Sequence, residues 1–331
     1  MEKKLLALFL AAAMLLSLAA CGGSAASQPD TPALPKPIRV AALKGPTAMG
    51  LVKLMDDADQ EADTADPFDF TLAASADEVT PLLIKGNLDV ACVPANLASV
   101  LYHKTEGDIA VLAINTLGVI YITENGDTVH SVFDLAGKTI VASGKGSTPE
   151  YALRYLLTEN GLDPDRDVTV EWKNEHAECV AALAAGTATI AMLPQPFVTV
   201  AQGKIEGLRL ALDLTEEWEK LENGSAMITG VVVARRDFVE AYPEAVRSFL
   251  ADYKASADWV NGNTAEAAAL IGGYGIVDAT VAQKALPYCN IVCITGDEMR
   301  EKLSGYLSVL AEQAPESVGG TLPANDFYFL Y

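Results

Sequence analysis

The stretch EVTPLLIKGNLDVACVPANL, at residues 78–97, aligns without a gap with ECVAALAAGTATIAMLPQPF, at residues 178–197, an offset of 100 residues. The identical pairs are Glu78/Glu178, Leu83/Leu183, Gly86/Gly186, Ala91/Ala191 and Pro94/Pro194. These identities prove little alone, because Ala and Leu are common in this chain. Each stretch nevertheless runs in the same order, from a helix pattern to a glycine, a short apolar strand pattern and a proline. The shared order predicts two similar α/β lobes.

The repeat extends to the first strand pattern of each half. Residues 44–47 (KGPT) follow the apolar run at residues 38–43, and residues 145–148 (KGST) follow the run at residues 139–143. Apolar strands that alternate with helices favour parallel sheets covered on both faces. In such sheets ligands bind beyond the carboxyl ends of the strands. We therefore predict an α/β fold with a ligand cleft between the two lobes.

The turns after these strands supply the candidate binding residues. The first turn of a helix has free backbone N–H groups and the positive end of the helix dipole. Gly45 and Gly146 allow the backbone to approach a ligand, while Asn96 and Gln195 can both donate and accept hydrogen bonds. The predicted ligand-binding residues are Lys44, Gly45, Thr47, Asn96, Gly146, Ser147, Thr148 and Gln195. Each can equally be an ordinary helix cap or loop residue, and the sequence leaves both explanations open.

The first 36 residues predict export. Lys3 and Lys4 precede an apolar run at residues 5–20 that is short for a bilayer span, which needs about 20 residues. Such a run is typical of a signal peptide, and the small residues before Cys21 predict lipidation of that cysteine. The alternative is an ordinary signal peptide with an incidental cysteine. We thus expect a signal peptide at 1–20, a Gly-, Ser- and Pro-rich tether at 21–36, and a domain anchored to the outer side of the cell membrane.

Composition restricts the partners. The chain has 331 residues, half of them hydrophobic, and a formal net charge of −21. Its length beyond the tether suits two lobes. The acidity argues against binding to nucleic acid, since the longest basic run of the mature chain is Arg235-Arg236. Any anion site must therefore be built locally from backbone amides or a few side chains.

Motifs for catalysis and metal binding give little support to an enzyme. The sequence has no Gly-x-Ser-x-Gly elbow, and Gly146 stands where a Walker loop needs Ser or Thr after its lysine. The three histidines show no zinc-binding spacing. Cys289 and Cys293 can be a redox or metal pair, or simply two small core residues. We predict no catalytic residue, no metal and no cofactor.

The order of these motifs resembles a known family. The cysteine after the signal peptide, the tether and residues 43–47, 86–90, 144–149 and 193–197 look like the substrate-binding subunits of ABC importers. The nearest branch is that of the thiamin-pyrimidine, nitrate, sulfonate and taurine binding proteins, and the resemblance covers residues 37–246. It implies a type II periplasmic-binding-protein fold, with two crossing hinge strands near residues 115–120 and 227–233. Lobe 1 would comprise 37–117 and 228–331, and lobe 2 would comprise 118–227.

The resemblance also implies a function. A monomer would close its lobes on a small polar ligand and deliver it to the permease and ATPase subunits of an importer. The alternatives are a lipoprotein that feeds a membrane sensor, or a pyrimidine-metabolism enzyme of the same fold.

The identity of the ligand stays open between two classes. A small sulfonate- or nitrate-type anion would use Lys44 and Lys145. A pyrimidine or thiamin precursor would stack on aromatic rings, and the acidic body slightly favours such a neutral or cationic heterocycle. The available rings are those of Tyr121, Tyr151, Trp172 and Phe197.

Overall fold

Strands and helices alternate through most of the computed structural model, which describes residues 37–60 and 68–330. The expected signal peptide, Cys21 and the tether lie outside the described residues. The strands are β1 (Ile38–Leu43), β2 (Phe68–Ala73), β3 (Val90–Pro94), β4 (Ile109–Leu117), β5 (Ile120–Glu124), β6 (Thr139–Ser143), β7 (Thr169–Lys173), β8 (Ile190–Pro194), β9 (Arg209–Asp213), β10 (Ile228–Arg235) and β11 (Ile291–Ile294).

The strands form two sheets with matching centres. The first sheet has the order β11-β4-β10-β3-β1-β2, and the second has the order β7-β6-β8-β5-β9. In the first, β1 is parallel to β2 and β3, and β10 joins β3 in the antiparallel sense. In the second, β6 is parallel to β7 and β8, and β5 joins β8 in the antiparallel sense. This equivalence confirms the predicted two-lobed α/β fold, with one lobe around each sheet.

Helices follow the parallel strands at equivalent points of the two lobes. The α-helices of the described residues are α1 (Pro46–Met49), α2 (Val52–Gln60), α3 (Ala76–Ile84), α4 (Ala95–Lys104), α5 (Thr148–Glu159), α6 (His176–Ala184), α7 (Phe197–Lys204), α8 (Leu214–Glu219), α9 (Arg236–Ala241), α10 (Pro243–Gly262), α11 (Thr264–Gly273), α12 (Ala279–Ala285) and α13 (Gly296–Gln313). None of these helices is long and apolar enough to cross a bilayer.

Two segments carry the chain between the lobes. The outward crossing is short, because only Gly118 and Val119 separate β4 of the first sheet from β5 of the second. The return was expected at residues 227–233, but β10 pairs with β3 and β4 along its length and so belongs to the first sheet. The chain returns instead through residues 214–227, which include α8.

Helix α13 packs against the return segment between the lobes. Its Tyr306 contacts Trp218 of α8, with ring centroids 5.5 Å apart, and Trp218 contacts Tyr155 of α5 at 4.6 Å. All three side chains are buried, and they belong to an apolar core that extends from the first sheet to the second. Burial of aromatic rings is a strong stabilising contribution, so this packing fixes one side of the molecule.

Candidate functional site

A cavity of about 340 Å³ lies between the lobes, at the carboxyl ends of their strands. The first lobe contributes the turns after β1 and β2, and the second contributes the turns after β6 and β7. The tips of β3 and β8, at Pro94 and Pro194, also line it, together with residues of the crossing segments. The cavity therefore occupies the place where an open α/β sheet binds its ligand.

Helix N-termini from both lobes meet at this cavity. Helices α1, α3, α5 and α6 each begin directly beyond a lining strand, and their first residues, Pro46, Ala76, Thr148 and His176, all belong to the lining. The N–H groups of a first helical turn have no partner within the helix, and the dipole makes that end positive. Helix α1 is too short to add much dipole, but the other helices span nine to twelve residues. The arrangement favours a negatively charged ligand.

The glycine turns before α1 and α5 allow this approach. Gly45 has φ 146° and Gly146 has φ 73°, conformations that residues with a Cβ rarely adopt. A Cβ on either glycine would meet no atom within 4 Å. Glycine is therefore favoured here by the backbone conformation, and not by a lack of space for a side chain.

Positive side chains add to the helix ends. Lys44, Lys145 and Lys173 belong to the lining. Lys173 lies 3.5 Å from Glu171, whereas Lys44 and Lys145 are exposed and form no ion pair within the described part of the chain. The acids of the lining are Asp77, in the first turn of α3, and Glu175, the N-cap residue of α6. The two unpaired lysines are thus available to an anion.

Ser143 and His176 form the most constrained pair of the lining. Ser143 Oγ and His176 Nδ1 share a hydrogen bond, and the imidazole packs against Phe197 with ring centroids 4.9 Å apart. Burial lowers the pKa of His176 from 6.5 to about 4, so the ring is neutral at neutral pH. When the serine hydroxyl donates to Nδ1, the ring proton lies on Nε2 and can be donated in turn.

The family model described as ABC transporter, phosphonate, periplasmic substrate-binding protein matches residues 53–285, which include every segment of the cavity after its first turn. The chain belongs to this family. It is thus a substrate-binding protein of the ABC transporter class. A comparison with curated proteins found no match.

Solved structures of substrate-binding proteins share the fold. An ABC transporter protein from Parabacteroides distasonis has a TM-score of 0.72 and 23% identity, over 89% of this chain and 99% of that one. The alkanesulfonate-binding protein SsuA from Xanthomonas axonopodis pv. citri, bound to MOPS, has a TM-score of 0.69 and 17% identity, over 88% of this chain and 96% of that one. The nitrate-binding protein NrtA from Synechocystis PCC 6803 has a TM-score of 0.55 and 16% identity, over 72% of this chain and 66% of that one. At these identities the likeness shows the fold alone.

Five of the predicted ligand-binding residues of this substrate-binding protein belong to the lining: Lys44, Gly45, Thr47, Ser147 and Thr148. Gly146 lies between two lining residues, and its N–H donates to Glu150 Oε2 at 2.6 Å. Gln195 is buried outside the lining, where its Oε1 accepts a hydrogen bond of 2.9 Å from Thr199 and its N–H donates to Val119 O. Gln195 thus ties the tip of β8 to the outward crossing.

Asn96 lies behind the lining and joins the two lobes. It is fully buried, and its Nδ2 donates to Ser317 O at 3.0 Å and to Gly146 O at 3.5 Å. Its Oδ1 accepts a hydrogen bond of 3.3 Å from Thr148. Asn96 lies in the first turn of α4 in the first lobe, whereas Gly146 and Thr148 belong to the second, so this side chain bridges the lobes.

Several lining residues were missed from the sequence, namely Ser75, Thr116, Ser143, Lys173, His176 and Thr229. A signal for His176 was present, because the repeat at an offset of 100 residues places it opposite Ala76, and both residues begin a helix. Extending the alignment two residues upstream of residue 178 would have identified it.

The aromatic candidates lie elsewhere. Tyr121, Tyr151, Trp172 and Phe197 are all outside the lining, and Tyr121 instead donates a hydrogen bond of 3.4 Å to Tyr288 O. Among the described lining residues the only aromatic ring is the imidazole of His176. The cavity therefore has no broad face on which a pyrimidine can stack.

The cysteines have no visible part in the site. Cys92, Cys179, Cys289 and Cys293 are free thiols, and burial raises the pKa of Cys289 to about 12. A buried, protonated thiol is a poor nucleophile, and this agrees with the interpretation of Cys289 as a core residue. Within the described ranges no cluster of His, Cys, Asp and Glu has the arrangement of a metal site.

Proposed function

We propose that this substrate-binding protein captures a small organic oxyanion of the phosphonate or sulfonate class by closing its two lobes over it. The observation that carries the proposal is the meeting of helix N-termini from both lobes at one cavity, beside the unpaired lysines Lys44 and Lys145. Free N–H groups and positive helix ends suit an oxyanion, and the lysines add attraction over a longer distance. This positive surface is local, so it is compatible with an acidic body.

The size of the cavity supports an organic anion. A water molecule occupies about 30 Å³ in the liquid. Nitrate or phosphate is only two or three times larger, and would leave most of a cavity of about 340 Å³ unfilled. The family description names phosphonate, and one similar structure holds MOPS, which is an organic sulfonate. A pyrimidine is less compatible, because its stacking partners lie outside the lining.

We extend the proposal to the setting of the site. Residues 37–117 and 228–331 would move as one lobe and residues 118–227 as the other. Lys44, Gly45, Thr47, Ser147 and Thr148 would contact the ligand, with Asn96, Gly146 and Gln195 supporting them from behind. A lipid on Cys21 would hold the monomer beside the permease and ATPase of an importer, which raises its effective concentration there. Permease and ATPase genes next to this gene would favour an importer over a sensor.

A binding screen tests the ligand class. The full-length protein in detergent would be melted with methylphosphonate, ethylphosphonate, ethanesulfonate, nitrate and thiamin, and the dissociation constants measured by calorimetry. We expect the organic phosphonates or sulfonates to raise the melting temperature most. Replacing both lysines (Lys44→Gln with Lys145→Gln) should weaken binding about tenfold or more, since each charged contact contributes about 1.5–3 kcal/mol when buried and less when exposed.

The control is a lysine pair on the first lobe, Lys85→Gln with Lys104→Gln, which removes the same charge beside a different groove. It should leave the dissociation constants within about twofold. A shift with thiamin alone, or equal losses in the two double variants, would contradict the proposal.

A further inference from the structure

The floor of the cavity is formed by β4 and β10, the two strands of the first sheet that adjoin the crossing segments. Thr116 near the end of β4 and Thr229 near the start of β10 both belong to the lining. The strands are neighbours in the first sheet, where Gly230 is the partner of Thr116 and Ile228 is the partner of Leu117. The two threonines therefore lie side by side at the point where the lobes are joined.

Their hydroxyl groups differ from the others in the lining. Thr47 Oγ1 donates to Leu43 O at 2.8 Å, and Thr148 Oγ1 donates to Asn96. Thr116 Oγ1 and Thr229 Oγ1 are buried and have no hydrogen-bond partner among the described residues, and Thr116 is fully buried as a residue. Buried polar groups are rarely left unpaired, because each unpaired group is destabilising. Two such hydroxyls in the lining of a binding cavity need a functional explanation.

The protein around them is closely packed. A Cβ on Gly230 would lie 2.7 Å from Thr47 Cγ2 and 3.4 Å from Thr116 Cβ. The floor is thus held against the first-lobe turn that carries Lys44, Gly45 and Thr47. The turn and the two threonines thus line adjoining parts of the cavity.

We propose that Thr116 and Thr229 bind a second, uncharged polar group of the ligand, so that the cleft selects oxyanions with a hydroxyl or carbonyl group over plain alkyl ones. This inference rests on the proposed function. A threonine hydroxyl both donates and accepts, so it matches a neutral hydroxyl, carbonyl or amide. A threonine hydroxyl has no negative charge to balance an ammonium group. Burying an ammonium group against the two threonines would therefore have a high desolvation cost.

Matched ligands test the preference. Ethylphosphonate and 2-hydroxyethylphosphonate differ by one hydroxyl, as do ethanesulfonate and 2-hydroxyethanesulfonate. We expect the hydroxylated member of the better-bound pair to have a dissociation constant at least about threefold lower in the wild-type protein. Thr116→Val and Thr229→Val should each bring this ratio close to one. Thr116→Ser, which keeps the hydroxyl, should retain the ratio.

The control is Thr215→Val. Thr215 Oγ1 is also buried without a partner in the described part of the chain, but it contacts Gly118 outside the lining. This variant should keep the wild-type ratio. All three valine variants should fold, since removing an unpaired buried hydroxyl does not destabilise the protein.

The outcomes separate the two proposals. A wild-type ratio near one, or a ratio that Thr116→Val and Thr229→Val leave unchanged, overturns the role of the threonines and leaves the oxyanion site standing. The same role is overturned if 2-aminoethylphosphonate binds more tightly than 2-hydroxyethylphosphonate. If the wild-type protein binds none of these phosphonates and sulfonates, the proposed function fails, and this inference fails with it.

Discussion

At the scale of single residues, the chemistry of the cavity depends on which side chains already have partners. Ser143 occupies Nδ1 of His176, and Glu175 caps the helix that His176 begins. The lysines of the two glycine turns have no such partner among the described residues. An anion bound as we propose would therefore meet positive charge at Lys44 and Lys145, and a neutral ring at His176.

The protonation of His176 gives a prediction for the ligand-free protein. The pKa of about 4 in the folded state lies below the value of 6.5 for a solvated imidazole. The unfolded chain therefore binds the proton first, and stability is lost as the pH falls from 6.5 towards 4. We expect a loss on the order of 1 kcal/mol at pH 5 relative to pH 7, because the ring is partly exposed. Urea denaturation at the two pH values, and an NMR titration of the imidazole, measure both effects.

Substitutions separate this histidine from the rest of the protein. His176→Gln should remove this loss from the difference in the free energy of unfolding between pH 7 and pH 5. His130→Gln, at an exposed position, should keep it. An imidazole of His176 that titrates at 6.5 or above would contradict the expected environment.

The sequence alone can indicate a residue whose conformation depends on its own chain neighbours. Gly45 and Gly146 were identified because a glycine between a strand and a helix has a local conformational reason. Ser143 and His176 are 33 residues apart, and their contact depends on the pairing of β6 with β7. Asn96 looked like a ligand-binding amide, but Ser317 lies 221 residues away, and only the folded chain brings the two together.

At the scale of elements, the outward crossing requires a glycine at residue 118, because a side chain there has no space. A Cβ on Gly118 would lie 2.0 Å from Thr215 Oγ1 and 3.0 Å from Thr215 Cβ, at the start of α8. The outward and return segments therefore touch where they pass between the lobes. The family resemblance implied only a hinge strand near residues 115–120, whereas the structure supplies a packing reason for Gly118.

Enlarging this glycine should destabilise the protein. We expect Gly118→Ala to cost about 1–3 kcal/mol in the free energy of unfolding, as overpacking does, and to lower ligand affinity by shifting the lobes. Thr215→Ala in the same chain should restore part of both losses, because it removes the clashing hydroxyl. Urea denaturation and calorimetry with ethylphosphonate provide the two measurements.

A second glycine serves as the control. Gly203 in α7 would meet no atom within 4 Å with an added Cβ, so Gly203→Ala should be neutral or slightly stabilising. If Gly118→Ala is also neutral, the close contact between the crossings does not exist in solution.

At the scale of the whole molecule, the two lobes are joined by more than their crossing segments. Trp218 packs on Tyr306 of α13, and Asn96 connects the first lobe to the second and to Ser317 after α13. The internal repeat was enough to predict two lobes, because each half contains its own strand and helix order. It held no information on α13, which has no counterpart in the repeat, and so the contacts between the lobes remained unknown.

Asn96 should therefore control closure without touching the ligand. Its hydrogen bonds to Gly146 and Thr148 join the two lobes. We expect them to stabilise the closed form, so their loss should reduce its population and lower the apparent affinity by the same factor. We expect Asn96→Ala to raise the dissociation constant for 2-hydroxyethylphosphonate by roughly threefold to tenfold, with most of the change in the dissociation rate. Stopped-flow tryptophan fluorescence follows this rate, since Trp218 lies at the contact between the lobes.

Asn160→Ala distinguishes closure from general stability. Asn160 Nδ2 donates to Leu156 O at 2.8 Å at the end of α5, a contact within the second lobe. This variant should lower the melting temperature and leave the dissociation rate unchanged. Equal effects of the two substitutions on that rate would show that Asn96 acts only through stability. A dissociation rate in Asn96→Ala that is equal to or slower than that of the wild type would contradict the role of Asn96 in closure.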